Sequence, residues 1–171
     1  MQVLILSDTH GTIHKGAWPH LEAADEVWHA GDFGPPDFID ALASRCKSLK
    51  AVSGNADPKE TLYKLKETEL FIRNQQRIML HHIVGRPGKY VPEAKAIIAK
   101  HQPDIIVCGH SHILLVAPVR DGAKIRLHIN PGAAGHHGLH SLCTMIRITI
   151  GANKIENAEV IELGRRGRIF E

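Results

Sequence analysis

The sequence predicts an α/β protein in which two sheets pack together and helices cover their outer faces. Three observations carry this. Short apolar runs alternate with helix-like segments through the first two thirds of the chain. From Leu114 onward the pattern is β only. A length of 171 residues with 43% hydrophobic content supplies one sizeable core, hence a single domain over residues 1–171. Two packed sheets with outer helices accommodate both halves of the pattern.

The elements follow in order. Residues 3–6 are an apolar strand ending in Ser7-Asp8-Thr9-His10-Gly11, and residues 19–24 form a short helix. Residues 26–30 are a second strand, ending in Gly31-Asp32. Pro35-Pro36-Asp37 opens a helix through residue 44, with Phe38, Ile39 and Leu42 as its apolar side. Residues 49–52 give a third strand, ending in Ser53-Gly54-Asn55-Ala56-Asp57. Residues 69–72 and 77–80 read as a hairpin whose second strand runs into His81-His82. After a loop containing Gly85, Pro87 and Gly88, residues 92–101 read as a helix. Residues 104–108 are a strand ending in Gly109-His110-Ser111-His112. Residues 114–119 and 124–129 flank the hairpin signal Asp121-Gly122, Asn130-Pro131-Gly132 is a turn, and residues 142–150 and 154–163 form the last pair. There is no internal repeat, low-complexity tract or linker.

Composition narrows the function classes. The net charge of +3 is small and the basic residues are dispersed, apart from Arg165, Arg166 and Arg168, which read as a solvated chain end. Nucleic acid is therefore not the expected partner. No apolar stretch reaches the ~18–20 residues that span a bilayer, and Ser7-Asp8 interrupts the N-terminal run too early for a signal peptide. The cysteines are Cys46, Cys108 and Cys143, an odd number without a CxxC. That argues against a disulfide framework or a thiolate metal site, and for a cytoplasmic protein. Histidine is the unusual count, at 13, spread through the chain and not gathered in a tag. It is the commonest metal ligand.

Five apolar runs end in a polar cluster of one kind, at Asp8 and His10, at Asp32, at Asn55 and Asp57, at His81 and His82, and at His110 and His112. In open α/β sheets, ligands bind beyond the carboxyl ends of strands. Oxygen donors mixed with imidazole suit manganese, iron or zinc better than calcium or a thiolate-bound metal. In a β-like segment residues i and i+2 point to one side, so Asp8 and His10 can grip one ion. The same spacing relates His110 and His112, although a turn at Gly109 would aim them at different ions. Each piece alone has a blander reading as a turn, a helix cap or a partly buried histidine. Their joint order, each after an apolar run, carries the case.

With these residues in this order, the chain resembles the calcineurin-like metallophosphoesterases, in particular their small single-domain phosphodiesterase branch. The family pattern is D-x-H, then G-D, then G-N-x-D/E, then a histidine after a strand, then G-H-x-H. Here these are Asp8-Thr9-His10, Gly31-Asp32, Gly54-Asn55-Ala56-Asp57, His81 and Gly109-His110-Ser111-His112, with Asn130-Pro131-Gly132 also similar to the branch.

The resemblance implies a four-layer αββα sandwich with metals at the edge of the sheets. It implies two divalent ions, manganese first, with iron, zinc and nickel as alternatives. Asp8, His10 and His112 would hold one ion, Asn55, His81 and His110 the other, and Asp32 would bridge them. Two ions ~3.5–4 Å apart lower the pKa of a shared water, giving a hydroxide that attacks phosphorus in line with the leaving oxygen. Asn55 could also donate to a phosphoryl oxygen, and Asp57 is read as a partner orienting a ligand histidine. The expected substrate is a small phosphate ester, first a phosphodiester; self-association into a homo-oligomer stays open.

Two departures from the family bear on catalysis. Ala56 stands where many members carry the histidine that protonates the leaving group, help typically worth about 10²–10⁴-fold. His82, His136 and His137 are candidate substitutes. His82 also replaces the usual glycine after the strand-end histidine, which makes it a candidate substrate contact beside Arg86 and Lys15. Ala133 replaces a serine after Asn-Pro-Gly. The competing reading is a non-catalytic scaffold, the role one relative plays in the retromer coat. All seven ligand positions are filled with ligand-capable residues, which favours the enzyme.

Overall fold

The computed structural model describes residues 1–167; Arg168 lies outside them. In chain order the strands are β1 (Gln2–Leu6), β2 (Glu26–His29), β3 (Leu49–Ala51), β4 (Thr68–Arg73), β5 (Gln76–His81), β6 (Gly85–Arg86), β7 (Lys89–Tyr90), β8 (Ile105–Val107), β9 (Leu114–Asp121), β10 (Lys124–Pro131), β11 (Leu142–Ile150) and β12 (Ile155–Arg165). The helices are α1 (Trp18–Ala23), preceded by a 3-10 turn at Lys15–Ala17, α2 (Pro36–Arg45), α3 (Lys59–Lys64) and α4 (Pro92–His101).

Two five-stranded mixed sheets result, in the orders β12-β11-β1-β2-β3 and β4-β5-β8-β10-β9. Within the first, β1, β2 and β3 run parallel. Within the second, β5, β8 and β10 do. The strands that end in polar clusters therefore end together at one edge of each sheet.

Strand alternation separates the layers. In β1, Val3 and Ile5 join Trp28, Ile78, Leu80, Ile105, Val107 and Ile129 in the core between the sheets. Leu4 and Leu6 face the other way, against Leu21 of α1 and Ile39 and Leu42 of α2. On the far side, Met79 and Ile106 pack on Ala94 and Ile98 of α4. Three apolar layers between four structural layers make the αββα sandwich. A tie across the sheets is polar: Arg73 Nε and Nη2 donate to both oxygens of Glu26, at 2.6 and 2.8 Å. Glu26 is buried, so losing its partner would cost up to about 3 kcal/mol.

The strands and α1, α2 and α4 fall close to their expected places. Asn130 and Pro131 belong to the end of β10 and not to a turn. The loop after His82 carries a small hairpin, β6–β7. Helix α3 was not expected: Lys59–Lys64 has no apolar stripe, and Thr61 is its buried residue.

One core residue gives a pH test. His128 of β10 is 1% exposed and burial pushes its pKa down to about 4. An unfolded histidine titrates near 6.5. Above pH 6.5 both states are neutral there. Between pH 6.5 and 4 the unfolded chain takes up a proton that the folded chain refuses, so stability falls as pH falls, by about 3 kcal/mol in all. Urea unfolding at pH 7 and pH 4 should show wild type losing about that much more stability than His128→Asn. Equal losses would contradict it.

Candidate metal centre

The loops that follow β1 and β2 stay zipped together past the ends of the strands. Asp8 N–H donates to Gly31 O at 3.0 Å, His10 N–H to Asp32 O at 2.9 Å and Gly11 N–H to Phe33 O at 2.6 Å. Beneath them lies His29, fully buried and stacked on Phe33 with ring centroids 3.5 Å apart. Gly31 N–H donates to His29 Nδ1 at 3.2 Å, and His29 Nε2 meets Thr9 Oγ1 at 3.0 Å. Burial keeps this imidazole neutral, its pKa well below the ordinary value, and Nδ1 accepts while Nε2 carries the proton. On the other flank, Ala134 N–H donates to Ser7 O and Gly135 N–H to Asp8 O.

Backbone strain is concentrated here. Among the described residues, eight non-glycine residues have positive φ, and five of them are Asp8, His10, Asp32, His110 and His112, with φ between 47° and 66°. Each such conformation costs about 1–2 kcal/mol, tolerable only where surrounding structure enforces it.

The side chains form two groups that share Asp8. Asp8, His10 and His112 each offer an atom within 4.8 Å of the others, and so do Asp8, Asp32 and His82. His112 Nε2 lies 3.2 Å from Asp8 Oδ1. His82 Nε2 lies 3.3 Å from Asp32 Oδ2, and His10 Nε2 lies 3.8 Å from that same oxygen. Both Nε2 atoms are buried without a hydrogen-bond partner. The other Asp32 oxygen accepts from Ala56 N–H at 2.8 Å, and the Asp8 carboxylate accepts from His110 N–H at 3.2 Å. His110 is exposed, its ring 5.4 Å from that of His82.

Charge is balanced accordingly. Burial opposes ionisation of Asp32, but the facing His82 imidazole, Ala56 N–H and His10 outweigh it, and its pKa is lowered. Burial also opposes protonation of His82, yet Asp32 and Asp8 raise its pKa. For His10, burial prevails over the same two carboxylates, and its pKa is lowered.

Three expectations meet a different geometry in the structure. The first is the placement of His81 and His82. Along β5, Ile78 and Leu80 face the intersheet core and Met79 faces α4. His82 continues the inward row and reaches Ala30 O at 2.7 Å and Asp32. His81 follows Met79 outward; its Nδ1 contacts Thr68 Oγ1 at 2.8 Å and Glu67 O at 3.1 Å. It shares a cavity of about 270 Å³ with Asn55, Gly54 and His82, and it belongs to neither metal-ligating group.

The second is Asp57, which orients no histidine. Its two oxygens accept from Gly34 N–H and Gly54 N–H, both at 2.8 Å, and so clamp the two loops that carry Asp32 and Asn55. Thr61 of α3 supports the same clamp through Gly34 O, at 2.7 Å. The third is Lys15, exposed before α1 and absent from the linings of the site's cavities.

Asn55 is exposed at the mouth of its cavity. Arg86 lines a neighbouring cavity of about 530 Å³ together with Gly109, His110 and Ser111. His137 is exposed with its ring 4.8 Å from that of His10, whereas His136 Nδ1 accepts from Gly167 N–H. Asn130 braces the last ligand loop, donating to Gly109 O at 2.8 Å and Ser111 Oγ at 3.1 Å.

Two glycines leave room for the site. A Cβ at Gly31, where φ is +98°, would lie 2.6 Å from His82 Nδ1, and one at Gly54 would fall on the Asp32 carboxylate. Gly31→Ala should cost about 1–3 kcal/mol from the backbone alone, with further loss as His82 is displaced. Thermal unfolding together with metal affinity checks this; an unaltered melting temperature would contradict it.

A model of the calcineurin-like phosphoesterase superfamily domain matches residues 1–153, and the chain belongs to that superfamily. No curated protein matches it. Similar solved structures include Vps29 from Chaetomium thermophilum, 17% identical over 95% of this chain and 96% of that one, with a TM-score of 0.73. Vps29 of Entamoeba histolytica complexed with zinc is 22% identical over 96% and 100%, with a TM-score of 0.63. A novel archaeal phosphodiesterase is 20% identical over 94% and 100%, with a TM-score of 0.71. At these identities the likeness is one of fold.

The donor set fits divalent ions. It combines carboxylate oxygens with imidazole nitrogens and contains no thiolate, a set suited to manganese, iron or zinc. Two unpartnered Nε2 atoms beside one carboxylate oxygen are the arrangement that a cation would satisfy.

Proposed function

We propose that this chain is a phosphoesterase that holds two divalent ions, manganese foremost, and hydrolyses phosphodiesters, with activated monoesters as secondary substrates. One observation carries the reading: the buried, unpartnered Nε2 atoms of His10 and His82 converge on the single oxygen Asp32 Oδ2. Asp8, His10 and His112 would hold one ion. His82, His110 and Asn55 would hold the other, with Asp32 between them. Such ions, when bound, supply the charge that activates a water and neutralises a phosphoryl group.

The remaining work falls to the protein. The His29–Thr9 pair and the Asp57 clamp hold the ligand loops in their strained conformations, so the donors are set before substrate arrives. Asn55 presents its side-chain amide to a phosphoryl oxygen, and Arg86 faces the same ester from the cavity beside His110. His81 forms a wall of the cleft. Ala56 contributes its N–H to Asp32 and has no proton for a leaving group. The three free cysteines suit a reducing compartment, and we place the protein in the cytoplasm. No helix among the described residues is long and apolar enough to cross a membrane.

The test is hydrolysis of bis-nitrophenyl phosphate with manganese and with chelator. Turnover should require the metal, and absence of turnover would favour the scaffold reading. With no acid at position 56, nitrophenyl diesters should outrun dialkyl esters by about the full difference in their chemical reactivity. A general acid would narrow that gap by about 10²-fold or more, its usual contribution to a poor leaving group. Installing the acid, as Ala56→His, should shrink that gap; an unchanged gap would contradict the assignment.

A further inference from the structure

We propose a second ligand site, for a small phosphate-bearing anion, on the α4 side of the second sheet and centred on Arg126. β10 turns Arg126 away from the intersheet core, and the residue is 1% exposed. Its Nη2 donates to Gln102 Oε1 at 2.7 Å and pairs with Asp121 Oδ2 at 3.0 Å. Its Nε and Nη1 are buried and have no acceptor. A guanidinium cannot shed its charge, so it normally finds acceptors for its donors when it is buried. Here two nitrogens are left over, on a residue that lines a cavity of about 420 Å³.

The rest of the cavity points to the same ligand chemistry. Lys89 of β7, Lys95 of α4 and Arg120 of β9 are exposed around it, and none makes an ion pair among the described residues. Asp121 is the one carboxylate among the lining residues, and Arg126 already engages it. Arg126, Lys89 and Lys95 therefore set three cations against one occupied anion, with Arg120 alternating to the other face of β9 at the rim. Ile98 and Val119 add apolar wall, so the space suits an organic body with a phosphoryl head more than a free ion. None of the lining residues belongs to the metal centre, so the site is separate from the one that would turn over ester.

Calorimetric titration with pyrophosphate tests this, on full-length Asp32→Ala protein in chelator so that the metal centre cannot bind the probe. Saturable one-to-one binding that weakens with added salt is expected. The exposed pair Lys89→Ala/Lys95→Ala should reduce affinity about tenfold or more without changing the melting temperature, and Arg126→Leu should abolish binding. The rim variant keeps the test decisive if Arg126→Leu fails to fold. No saturable binding, or equal affinity in the rim variant, would overturn the proposal.

Discussion

Asp32→Ala is expected to lower manganese-dependent hydrolysis of a nitrophenyl phosphodiester by about 10³-fold or more. Charge stabilisation at such a centre is worth several kcal/mol, and each 1.36 kcal/mol is about tenfold in rate. Asp32 is the residue both Nε2 atoms face, and its second oxygen fixes the loop that carries Asn55 through Ala56 N–H. Asp32→Asn separates these duties. The amide oxygen can still accept from Ala56, at nearly unchanged shape, but the charge is gone. Both variants should be inactive, while Asp32→Asn should be the more stable by about 1 kcal/mol, one retained hydrogen bond. An active Asp32→Asn would show that charge at this position is dispensable.

The second large effect separates two adjacent histidines. His82→Ala should cost about 10²-fold or more in rate and weaken metal binding in step, because it removes a buried nitrogen aimed at Asp32. His81→Ala should stay within about tenfold in rate. What it removes is a contact to Thr68 and Glu67 at the cleft wall, worth about 1 kcal/mol. Steady-state rates and metal titrations of both variants decide the matter. The reverse order would make His81 the ligand.

That pair also marks how far the sequence could be read. The joint order of Asp8, His10, Asp32, Asn55, His110 and His112 after apolar runs pointed to one sheet edge, and the structure brings Asp8, His10 and His112 within reach of one another. It could not fix the parity of β5. Ile78, Met79 and Leu80 are all apolar because both faces of this strand are covered, by the first sheet and by α4. A strand buried on both faces loses the alternation that tells inward from outward.

The partners of Asp57 lie beyond the sequence for a related reason. An acid near a ligand suggests a partner for imidazole, but its acceptors are backbone N–H groups whose positions depend on the fold of two loops. Helix α3 gave no apolar stripe, its role being to place Thr61 under Gly34. His29 sat in plain view before Ala30-Gly31-Asp32, yet its part as a buried, neutral brace depends on Phe33 and Thr9 closing over it. The left-handed backbone at five candidate ligands is a tertiary property, enforced by the zipped loops.

A centre for two ions built on Asp8, Asp32 and the histidines around them is tested most directly by metal stoichiometry. Metal-free protein titrated with manganese, and with zinc in parallel, should take up two equivalents per chain. Asp32→Ala should retain at most one, at Asp8, His10 and His112. A wild-type chain that binds no divalent ion, or one whose uptake is untouched by Asp32→Ala, would contradict the account.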